Sequence, residues 1–536
     1  MTLNVSRDDR IFILFAFVMA FIITHGLVNR PTFTDAYYHF NSAQRIADGD
    51  GFSDTYLWIY VGAPDTLLES GAFPSHLYWM PFTSIVAAVG MMLFGFLGEY
   101  AAAQLPFTLM FAGIVLIAYW LGGYFGGTAR HKWVAGLLML FAGFFTRWWG
   151  QIDTFAPYGL VGSLALVFIG LMATSEDRKA WQFAVLAGVF AGLGHLTRAD
   201  GLLLLGVGWL VVLWGIWRKP VAISQRLQLL ALLTLGYCIV MLPWFIRNMN
   251  EIGSPLPLGG TQAIWLSDYN ELFNYPPQVT AQGFFADGVS TFLDSRLEAL
   301  LNNFGTFVAV EGLVILAPLM LMGLWNRRKS PFLRGFWMYA FGLHIVMTFV
   351  FPYPGYRGGL FHSASALMPF WVVLGVVGLD DVIDWIAKRR RSWKPRTAKI
   401  VFSGGLVTLA FVLSLQFGLG TLFDAKSTVT PAIYTELMAE LPPESRIMVN
   451  DPAELYYFTG MGGVVTPNAT AEMIPEIARR YNINYLLVRI VEREGRNEIN
   501  IPPQLAFDFD NPPQYLREIE LDTPNMRLYA ILPDEA

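Results

Sequence analysis

Acidic, aromatic and imidazole side chains crowd the stretch that follows the first apolar run of the chain. The segment "TDAYYHF" contains Asp35, Tyr37, Tyr38 and His39. A carboxylate can serve as a general base or as a metal ligand. On a helix, His39 would lie over Asp35 at i,i+4, where it could orient that carboxylate. These residue types make Asp35 a candidate base or metal ligand and His39 a candidate orienting neighbour, and Tyr37 and Tyr38 are candidate cavity residues.

Other ionisable residues stand at the ends of later apolar runs. An ionisable side chain costs about 2.5–3.5 kcal/mol at the centre of a membrane helix, so such groups usually face a cavity and each other. Arginine can hold a phosphate through two parallel hydrogen bonds. Carboxylates, arginines and histidines around one cavity predict the handling of a phosphorylated substrate. The candidates are Asp153 as a catalytic acid or base, Arg198, Arg247, Arg357 and His362 as phosphate-binding residues, and His76 and Asp200 as cavity residues.

Several of these residues also have structural interpretations. Asp35 is a good N-cap for a surface helix. Asp153 has Arg147 as a nearby ion-pair partner, and Arg198 with Asp200 can close a two-residue turn. These interpretations stay open at the level of sequence, and the N-cap is compatible with a catalytic role.

Interfacial positions explain another group of candidates. Arg357 and His362 can extend their polar ends toward the membrane surface, and His76 lies in an aromatic stretch typical of such a surface. The "NAT" triplet at Asn468 is a glycosylation sequon by pattern, but triplets of this kind are frequent by chance. The basic run Lys388–Lys399 is typical of a topology determinant.

The composition is that of a membrane protein. The 536 residues are 54% hydrophobic, 15% aromatic and only 14% charged, and mean hydropathy is +0.45. Soluble domains average about 25% charged residues, and crossing a bilayer takes about 17–25 apolar residues. A net charge of −5 gives no indication of a nucleic-acid partner. The sequence predicts a polytopic α-helical protein of the inner or plasma membrane.

Basic loops predict the orientation, because cytoplasmic loops carry excess Lys and Arg. With the N-terminus and the basic loops inside, the candidate residues fall on the extracytoplasmic side. The segment 80–97 is then an interfacial or re-entrant helix, and about eleven crossings leave the C-terminus outside. Apolar segments lie near 11–28, 80–97, 103–124, 133–146, 157–173, 182–197, 201–217, 228–246, 306–325, 335–351, 364–379 and 399–420.

The composition changes after residue 420. Strand-like apolar runs then alternate with an amphipathic helix, a pattern that predicts a small extracytoplasmic α/β domain over 421–536. The membrane domain is predicted over 1–420, with external loops at 30–79 and 247–305. The chain has no GxxxxGK[ST], HExxH, GxSxG or paired CxxC motif, which argues against the commonest soluble-enzyme sites.

The first external loop resembles that of GT-C membrane glycosyltransferases. "TDAYYHFNSAQRIADGDG" is similar to the loop of oligosaccharyltransferase catalytic subunits, in which an Asp precedes paired aromatics. "TRWWGQIDTF" resembles their second acidic motif. "GLGHLTRADGLLLL" and "LPWFIRN" are similar to segments of the protein O-mannosyltransferase and aminoarabinose transferase group. The resemblance covers about residues 10–370 and implies a GT-C fold.

The resemblance also implies roles. Asp35 matches the essential loop-one aspartate, which binds metal or activates the acceptor, and Asp153 matches the first acid of the second motif. The second acid is replaced by Phe155, which leaves a two-acid clamp for Mg²⁺ or Mn²⁺ in doubt. The C-terminal region has "NDPAELYYFTG" instead of a WWDYG signature. The implied donor is a polyprenyl-phosphate-linked sugar and the implied acceptor an extracytoplasmic lipid, glycan or protein.

A transporter or flippase for lipids or sugars is the alternative from another functional class. Such proteins usually contain internal repeats, and the sequence shows none. A cavity that is sealed on the cytoplasmic side would favour the transferase, whereas access from the cytoplasm would favour the transporter.

Overall fold

A computed structural model describes residues 6–63, 71–214, 222–390, 392–423, 430–493, 496–499, 505, 507–508 and 511–533. The chain packs as two compact units, which are described separately. Unit 1 comprises Met1–Arg30, Met80–Trp244 and Arg296–Phe423. Unit 2 comprises Pro31–Trp79, Phe245–Ser295 and Asp424–Ala536.

The described part of the chain is mainly helical. Its helices are α1 (Arg7–Leu27), α2 (Thr34–Asp48), α3 (Phe82–Phe94), α4 (Glu99–Gly126), α5 (Ala129–Leu140), α6 (Phe155–Thr174), α7 (Asp177–Thr197), α8 (Leu202–Leu213), α9 (Ile223–Ile252), α10 (Leu258–Gln262), α11 (Ala281–Ala286), α12 (Gly288–Thr306), α13 (Ala317–Arg327), α14 (Pro331–Ile345), α15 (Pro352–Pro354), α16 (Leu360–Ala364), α17 (Met368–Ala387), α18 (Pro395–Phe423), α19 (Ala432–Glu440), α20 (Pro452–Thr459) and α21 (Ile474–Tyr481). Wider π-helical turns cover Phe307–Glu311, Val346–Val350 and Gly355–Gly359.

Apolar helices long enough to cross a bilayer confirm that this is a multi-pass membrane protein. Seven helices within the described residues qualify by length and composition, and an eighth span results if the bent pair Pro352–Ala364 and Met368–Ala387 is one crossing. This is fewer than the expected eleven. The predicted segments 133–146 and 306–325 contain helices of only 12 and 11 residues, α5 and α13, because 3₁₀ and π-helical turns interrupt them.

The predicted re-entrant segment 80–97 forms a short helix. Helix α3 has 13 residues and is therefore about 20 Å long, less than the roughly 30 Å hydrocarbon core. A 3₁₀ turn, Gly95–Leu97, follows it before α4 begins. Its length agrees with a segment that enters the membrane without crossing it.

The two ends of unit 1 are recognisable from the side chains that join its helices. At one end, Lys132 and Tyr119 bond to Asp9 of α1, with Nζ and Oη at 2.5 and 2.8 Å from Oδ1. At the other end, the Gln104 side-chain amide donates to the carbonyls of Thr24, Val28 and Gly150 at 3.2, 2.8 and 2.7 Å. Gln104 thereby fixes the start of the segment that leads to Asp153.

Unit 2 contains the strands. They are β1 (Ser53–Asp54), β2 (Tyr56–Leu57), β3 (Phe73–Pro74), β4 (Arg446–Val449), β5 (Gly462–Val465), β6 (Tyr485–Arg493), β7 (Arg496–Ile499), β8 (Leu516–Ile519) and β9 (Met526–Ile531). The larger sheet has the order β2-β5-β4-β6-β9-β8, with β7 paired to β6. Strands β2, β5, β4 and β6 are parallel, and β9 is antiparallel to β6 and β8. The predicted C-terminal α/β arrangement is confirmed, and the first external loop supplies its edge strand β2.

The core of unit 2 forms where α19 and α20 cover this sheet. Leu437 and Leu455 from the helices pack with Ile447, Leu487 and Leu528 from the strands, and all five are buried. The sequon residue Asn468 is buried as well, and its amide donates to Asn274 Oδ1 at 2.6 Å. The structure agrees with the chance interpretation of this triplet.

Candidate active site

The predicted acid Asp153 lies on the connection from α5 to α6 in unit 1. Its side chain is fully buried, and one carboxylate oxygen accepts the backbone N–H of Thr154 at 2.5 Å. The other oxygen lies 3.3 Å from His362 Nδ1. Arg147 instead lies over the Trp148 ring, with 4.5 Å between its guanidinium carbon and the ring centroid. The predicted Asp153–Arg147 pair is therefore replaced by a pair with His362.

A break in the helix positions His362. The π-helical turn before α16 contains non-helical Arg357 and Gly358, and Gly358 has φ 127°, a conformation that L side chains rarely adopt. His362 Nδ1 lies 2.8 Å from Thr154 Oγ1. Phe155 stacks on the imidazole with the centroids 4.0 Å apart and the planes at 20°. The position where the resemblance expects a second acid thus holds a ring that orients His362.

Arg198 is held in a set of directed hydrogen bonds. Its Nε donates to Asp200 Oδ1 at 3.0 Å and to Ser363 Oγ at 2.8 Å. Its two Nη atoms reach the Gly359 carbonyl at 3.2 Å and Thr154 Oγ1 at 3.4 Å. Ser363 also donates to the second oxygen of Asp200. The local Arg198–Asp200 ion pair exists, and it belongs to a larger network.

This network joins four of the predicted residues. Asp153, His362, Arg198 and Asp200 are connected through the hydroxyl of Thr154, and Ser363 adds a second link between Arg198 and Asp200. Charge-assisted hydrogen bonds of this kind are roughly twice as strong as neutral ones. The arrangement presents a fixed guanidinium and an imidazole that can stabilise a phosphate charge, beside a carboxylate that can accept a proton.

Sequence reasoning missed Thr154 and Ser363. Each directly follows a predicted residue, Asp153 or His362, but hydroxyl side chains are too common for their type alone to mark them. Arg357 stands in the helix break and is exposed. Arg357 is the remaining predicted site residue of unit 1, and it lies five positions before His362 in the sequence.

The remaining candidates belong to unit 2, where α2 carries four of them. The helix begins after Phe33, which is its N-cap, so Asp35 lies inside the first turn and is not the N-cap. Asp35 is partly exposed, whereas His39, one turn later, is fully buried. Tyr37 packs against the ring of Tyr457 with the centroids 5.1 Å apart. An acidic side chain in a first helical turn is favoured by the helix dipole.

Tyr38 and His76 meet around a carboxylate that sequence reasoning missed. Tyr38 Oη donates to Asp54 Oδ2 at 2.8 Å, and Ser42 Oγ donates to Asp54 Oδ1 at 3.0 Å. The backbone N–H of His76 donates to Tyr38 Oη at 2.6 Å. Burial raises the pKa of Asp54 to about 6, although Tyr38 and Ser42 act in the opposite direction. Asp54 is thus a buried proton-binding group of unit 2.

His76 is held in an unusual backbone conformation. Its φ is 61°, which is uncommon for any residue other than glycine. Its Nδ1 lies 2.7 Å from Ser75 Oγ, and burial holds the pKa of its imidazole well below the usual value. His76 is only 1% exposed. This burial contradicts the interpretation of His76 as a solvent-exposed residue at the membrane surface.

Arg247 is anchored to the first loop in unit 2. One Nη donates to the carbonyl of Phe52 at 2.9 Å and the other to Asn248 Oδ1 at 3.0 Å. The hydrogen bond from Arg247 to Phe52 positions the loop 52–54, which carries Asp54.

Unit 1 also contains a donor pair that suits a metal ion. Asp153 and His362 offer a carboxylate oxygen and an imidazole nitrogen 3.3 Å apart. A mixed oxygen and nitrogen pair suits Zn²⁺ or Mn²⁺ better than Mg²⁺, which prefers oxygen ligands alone.

Searches with the sequence alone found no related protein: no family model matches the chain, and no curated protein does. Solved structures do match it. ArnT from Cupriavidus metallidurans, bound to undecaprenyl phosphate, has a TM-score of 0.53 at 17% identity, covering 93% of this chain and 99% of that chain.

Oligosaccharyltransferase structures from Archaeoglobus fulgidus also match. AglB in complex with an inhibitory peptide and a dolichol-phosphate has a TM-score of 0.53 at 11% identity, covering 95% of this chain and 76% of that one. The A. fulgidus oligosaccharyltransferase in complex with Zn and sulfate has a TM-score of 0.53 at 12% identity. The match covers 89% of this chain and 67% of that chain. The shared architecture confirms that this chain has the fold of the GT-C membrane glycosyltransferases.

Proposed function

We propose that the protein is an integral-membrane glycosyltransferase that transfers a sugar from a polyprenyl-phosphate donor to an extracytoplasmic acceptor. The observation that carries this proposal is the network of buried Asp153, Thr154 and His362 with the partly buried Arg198. The fold adds support, since ArnT binds undecaprenyl phosphate and AglB binds a dolichol-phosphate. A hexosyl or pentosyl donor would suit the same chemistry.

The reaction is a displacement at the anomeric carbon of the sugar. The acceptor oxygen forms a bond to that carbon, and the bond from the carbon to the phosphate oxygen breaks. The electron pair of the broken bond stays on the phosphate, which leaves as polyprenyl phosphate, and the acceptor proton moves to a carboxylate. A preorganised cation is most valuable where charge develops in the transition state.

The network in unit 1 supports the following division of tasks. Asp200, Ser363 and the Gly359 carbonyl fix the guanidinium of Arg198, so that it can bind the leaving phosphate without reorganising. His362, oriented by Thr154 and Phe155, adds a second donor when protonated. Arg357 and Arg247 remain candidate phosphate-binding residues from the sequence.

Asp35 is proposed as the base or metal ligand that acts on the acceptor, with His39 as its orienting neighbour on α2. A divalent cation, if bound, would be held by Asp153 and the neutral form of His362 instead, and it would supply charge neutralisation at the phosphate. The proposed orientation has the N-terminus in the cytoplasm and unit 2 outside.

A turnover assay in nanodiscs tests the function. Purified protein with a polyprenyl-phosphate sugar and candidate acceptors should release polyprenyl phosphate, measured by mass spectrometry. Arg198→Gln should lower kcat about 10²- to 10³-fold, the usual effect of removing one charge-stabilising group. Asp153→Asn should also lower kcat, because it removes the carboxylate that pairs with His362. Asp8→Asn and Arg178→Gln are matched controls, because both residues are exposed. Equal turnover in Arg198→Gln and Arg178→Gln would contradict the proposal.

A separate pair of variants tests the role of Asp35. Asp35→Asn should lower kcat about 10²- to 10⁴-fold if the carboxylate takes the acceptor proton. Asp48→Asn, at the exposed end of the same helix, should keep full activity. Full turnover by Asp35→Asn would remove Asp35 from the mechanism and leave the assignment of Arg198 intact.

A further inference from the structure

A cavity lies at the end of unit 1 where α1 begins, opposite the network around Asp153. Its volume is about 1000 Å³. It is bordered by α5, α17 and α18, and its charged residue Asp380 is twelve positions after Met368, the start of α17. Twelve helical residues span about 18 Å, so this cavity is distinct from the network around Asp153.

The cavity has a charged end and an apolar wall. Arg130, Arg327, Arg396 and Lys399 face Asp380, Asp381 and Asp384 at the charged end, which leaves one positive charge in excess when His131 is neutral. Among the apolar lining residues are Phe125, Val134, Leu137, Val377, Ile400 and Val407. The charge excess and the apolar wall together match an amphiphile with one negative charge.

The ion pairs of the cavity leave the charge of Arg396 available. Asp380 Oδ2 contacts Arg130, His131 Nε2 at 3.1 Å and Lys399 Nζ at 3.6 Å. Its Oδ1 is buried and accepts no hydrogen bond from the described residues. Arg327 pairs with Asp381 at 2.6 Å, and Lys399 also pairs with Asp384 at 2.8 Å. Arg396 is exposed and forms no ion pair with any residue that the structure describes.

We propose that this cavity binds a membrane phospholipid whose phosphodiester headgroup carries one negative charge, as in phosphatidylglycerol. Arg396 and Lys399 would bind the phosphate. Ile400, which is 65% exposed on α18, continues the apolar wall toward the acyl chains.

A larger side chain at Gly404 would fill part of the cavity without clashing with its walls. Gly404 lines the cavity, and a Cβ added there would meet no atom within 4 Å. The same holds for its neighbour Gly405, which is not a lining residue. Gly404→Leu therefore blocks the site, and Gly405→Leu is the matched control on the same helix. Arg396→Gln removes the proposed phosphate ligand, with Lys394→Gln as its control.

The test measures lipid retention by native mass spectrometry and the thermal midpoint of the full-length protein. Delipidated protein is supplied with phosphatidylglycerol, phosphatidylcholine or glycerol phosphate. We expect phosphatidylglycerol to be retained and to raise the midpoint more than phosphatidylcholine does. Arg396→Gln should weaken retention about fivefold, as one basic contact to an anionic lipid implies. Gly404→Leu should abolish it, and both control variants should behave as wild type.

Three results would overturn the proposal. Equal retention of phosphatidylcholine would show that the charge is not recognised. Binding of glycerol phosphate with the same affinity would indicate a soluble phosphate ester as the ligand. Unchanged lipid retention in Arg396→Gln would contradict the assignment even if Gly404→Leu failed to fold. None of these outcomes depends on glycosyltransferase activity.

Discussion

Arg198, the proposed phosphate-binding residue, is held in one orientation by its neighbours. Its guanidinium is planar, and its nitrogens reach Asp200, Ser363, Thr154 and Gly359 in different directions. A lysine ammonium is a point charge on a flexible stem and cannot reproduce this geometry. The network therefore positions the charge as well as supplying it.

The variant Arg198→Lys separates charge from geometry. It should keep the positive charge but lose the fixed orientation, so its kcat should lie between those of wild type and Arg198→Gln. We expect a loss of about tenfold, corresponding to about 1.4 kcal/mol of transition-state stabilisation. Steady-state kinetics with the lipid-linked donor measure it. A kcat equal to that of Arg198→Gln would mean that charge alone gives no benefit.

Asp54 predicts a pH dependence for the stability of unit 2. Its pKa is raised from 3.8 to about 6 by burial, so between these values the folded state holds a proton that the unfolded state has lost. The free energy of unfolding is therefore highest, as far as Asp54 is concerned, below about pH 4. It falls by about 3 kcal/mol in total as the pH rises to about 6. Asp54→Asn should remove this part of the profile.

Thermal midpoints of wild type and Asp54→Asn between pH 4 and 7 measure the effect. The midpoint of wild type relative to the variant should decrease as pH rises. Asp50→Asn is the control, since Asp50 is exposed and pairs with Arg45 at 3.3 Å. Parallel profiles for wild type and Asp54→Asn would refute the buried-carboxyl assignment.

At the scale of elements, the break before α16 determines where His362 lies. Gly358 has φ 127°, and a side chain there would strain the backbone by about 1–3 kcal/mol. Without the break, the helix would continue and His362 would face another direction. The break is thus the element that brings His362 to Asp153.

Gly358→Ala should therefore lower both the thermal midpoint and kcat. Gly342→Ala in α14 is the matched control, because a Cβ there would meet no atom within 4 Å and the residue is helical. That control should be neutral or slightly stabilising. Donor turnover together with a thermal unfolding curve measures both effects. A Gly358→Ala protein with normal activity would show that the break is dispensable.

Sequence patterns predicted these elements unevenly. Long apolar runs identified α1, α4 and α6 because span length depends only on local composition. The edge strand β2 was not predictable, since its pairing with β5 joins the first loop to the C-terminal region. Asp153 and Arg198 stood out as ionisable residues beside apolar runs. Asp54, Thr154 and Ser363 did not, because their importance comes from burial and from tertiary partners.

At the scale of the whole molecule, fold and chemistry are supported by different observations. The GT-C fold follows from the architecture shared with ArnT and AglB, whereas the transferase activity is a proposal based on the network in unit 1. At one end of unit 1, the buried Asp153 and His362 connect to the partly buried guanidinium of Arg198. At the other end lies a charged cavity of about 1000 Å³. We assign the lipid-phosphate donor to the first of these.

The most direct test of this account is a cryo-electron microscopy structure of the protein in nanodiscs with a bound polyprenyl phosphate. The account predicts phosphate density within hydrogen-bond distance of Arg198, close to Thr154 and His362. In Arg198→Gln, the same density should be weak or lost. Phosphate density only in the cavity bordered by Arg130 and Lys399, or elsewhere on the protein with Arg198 uninvolved, would contradict the proposed function.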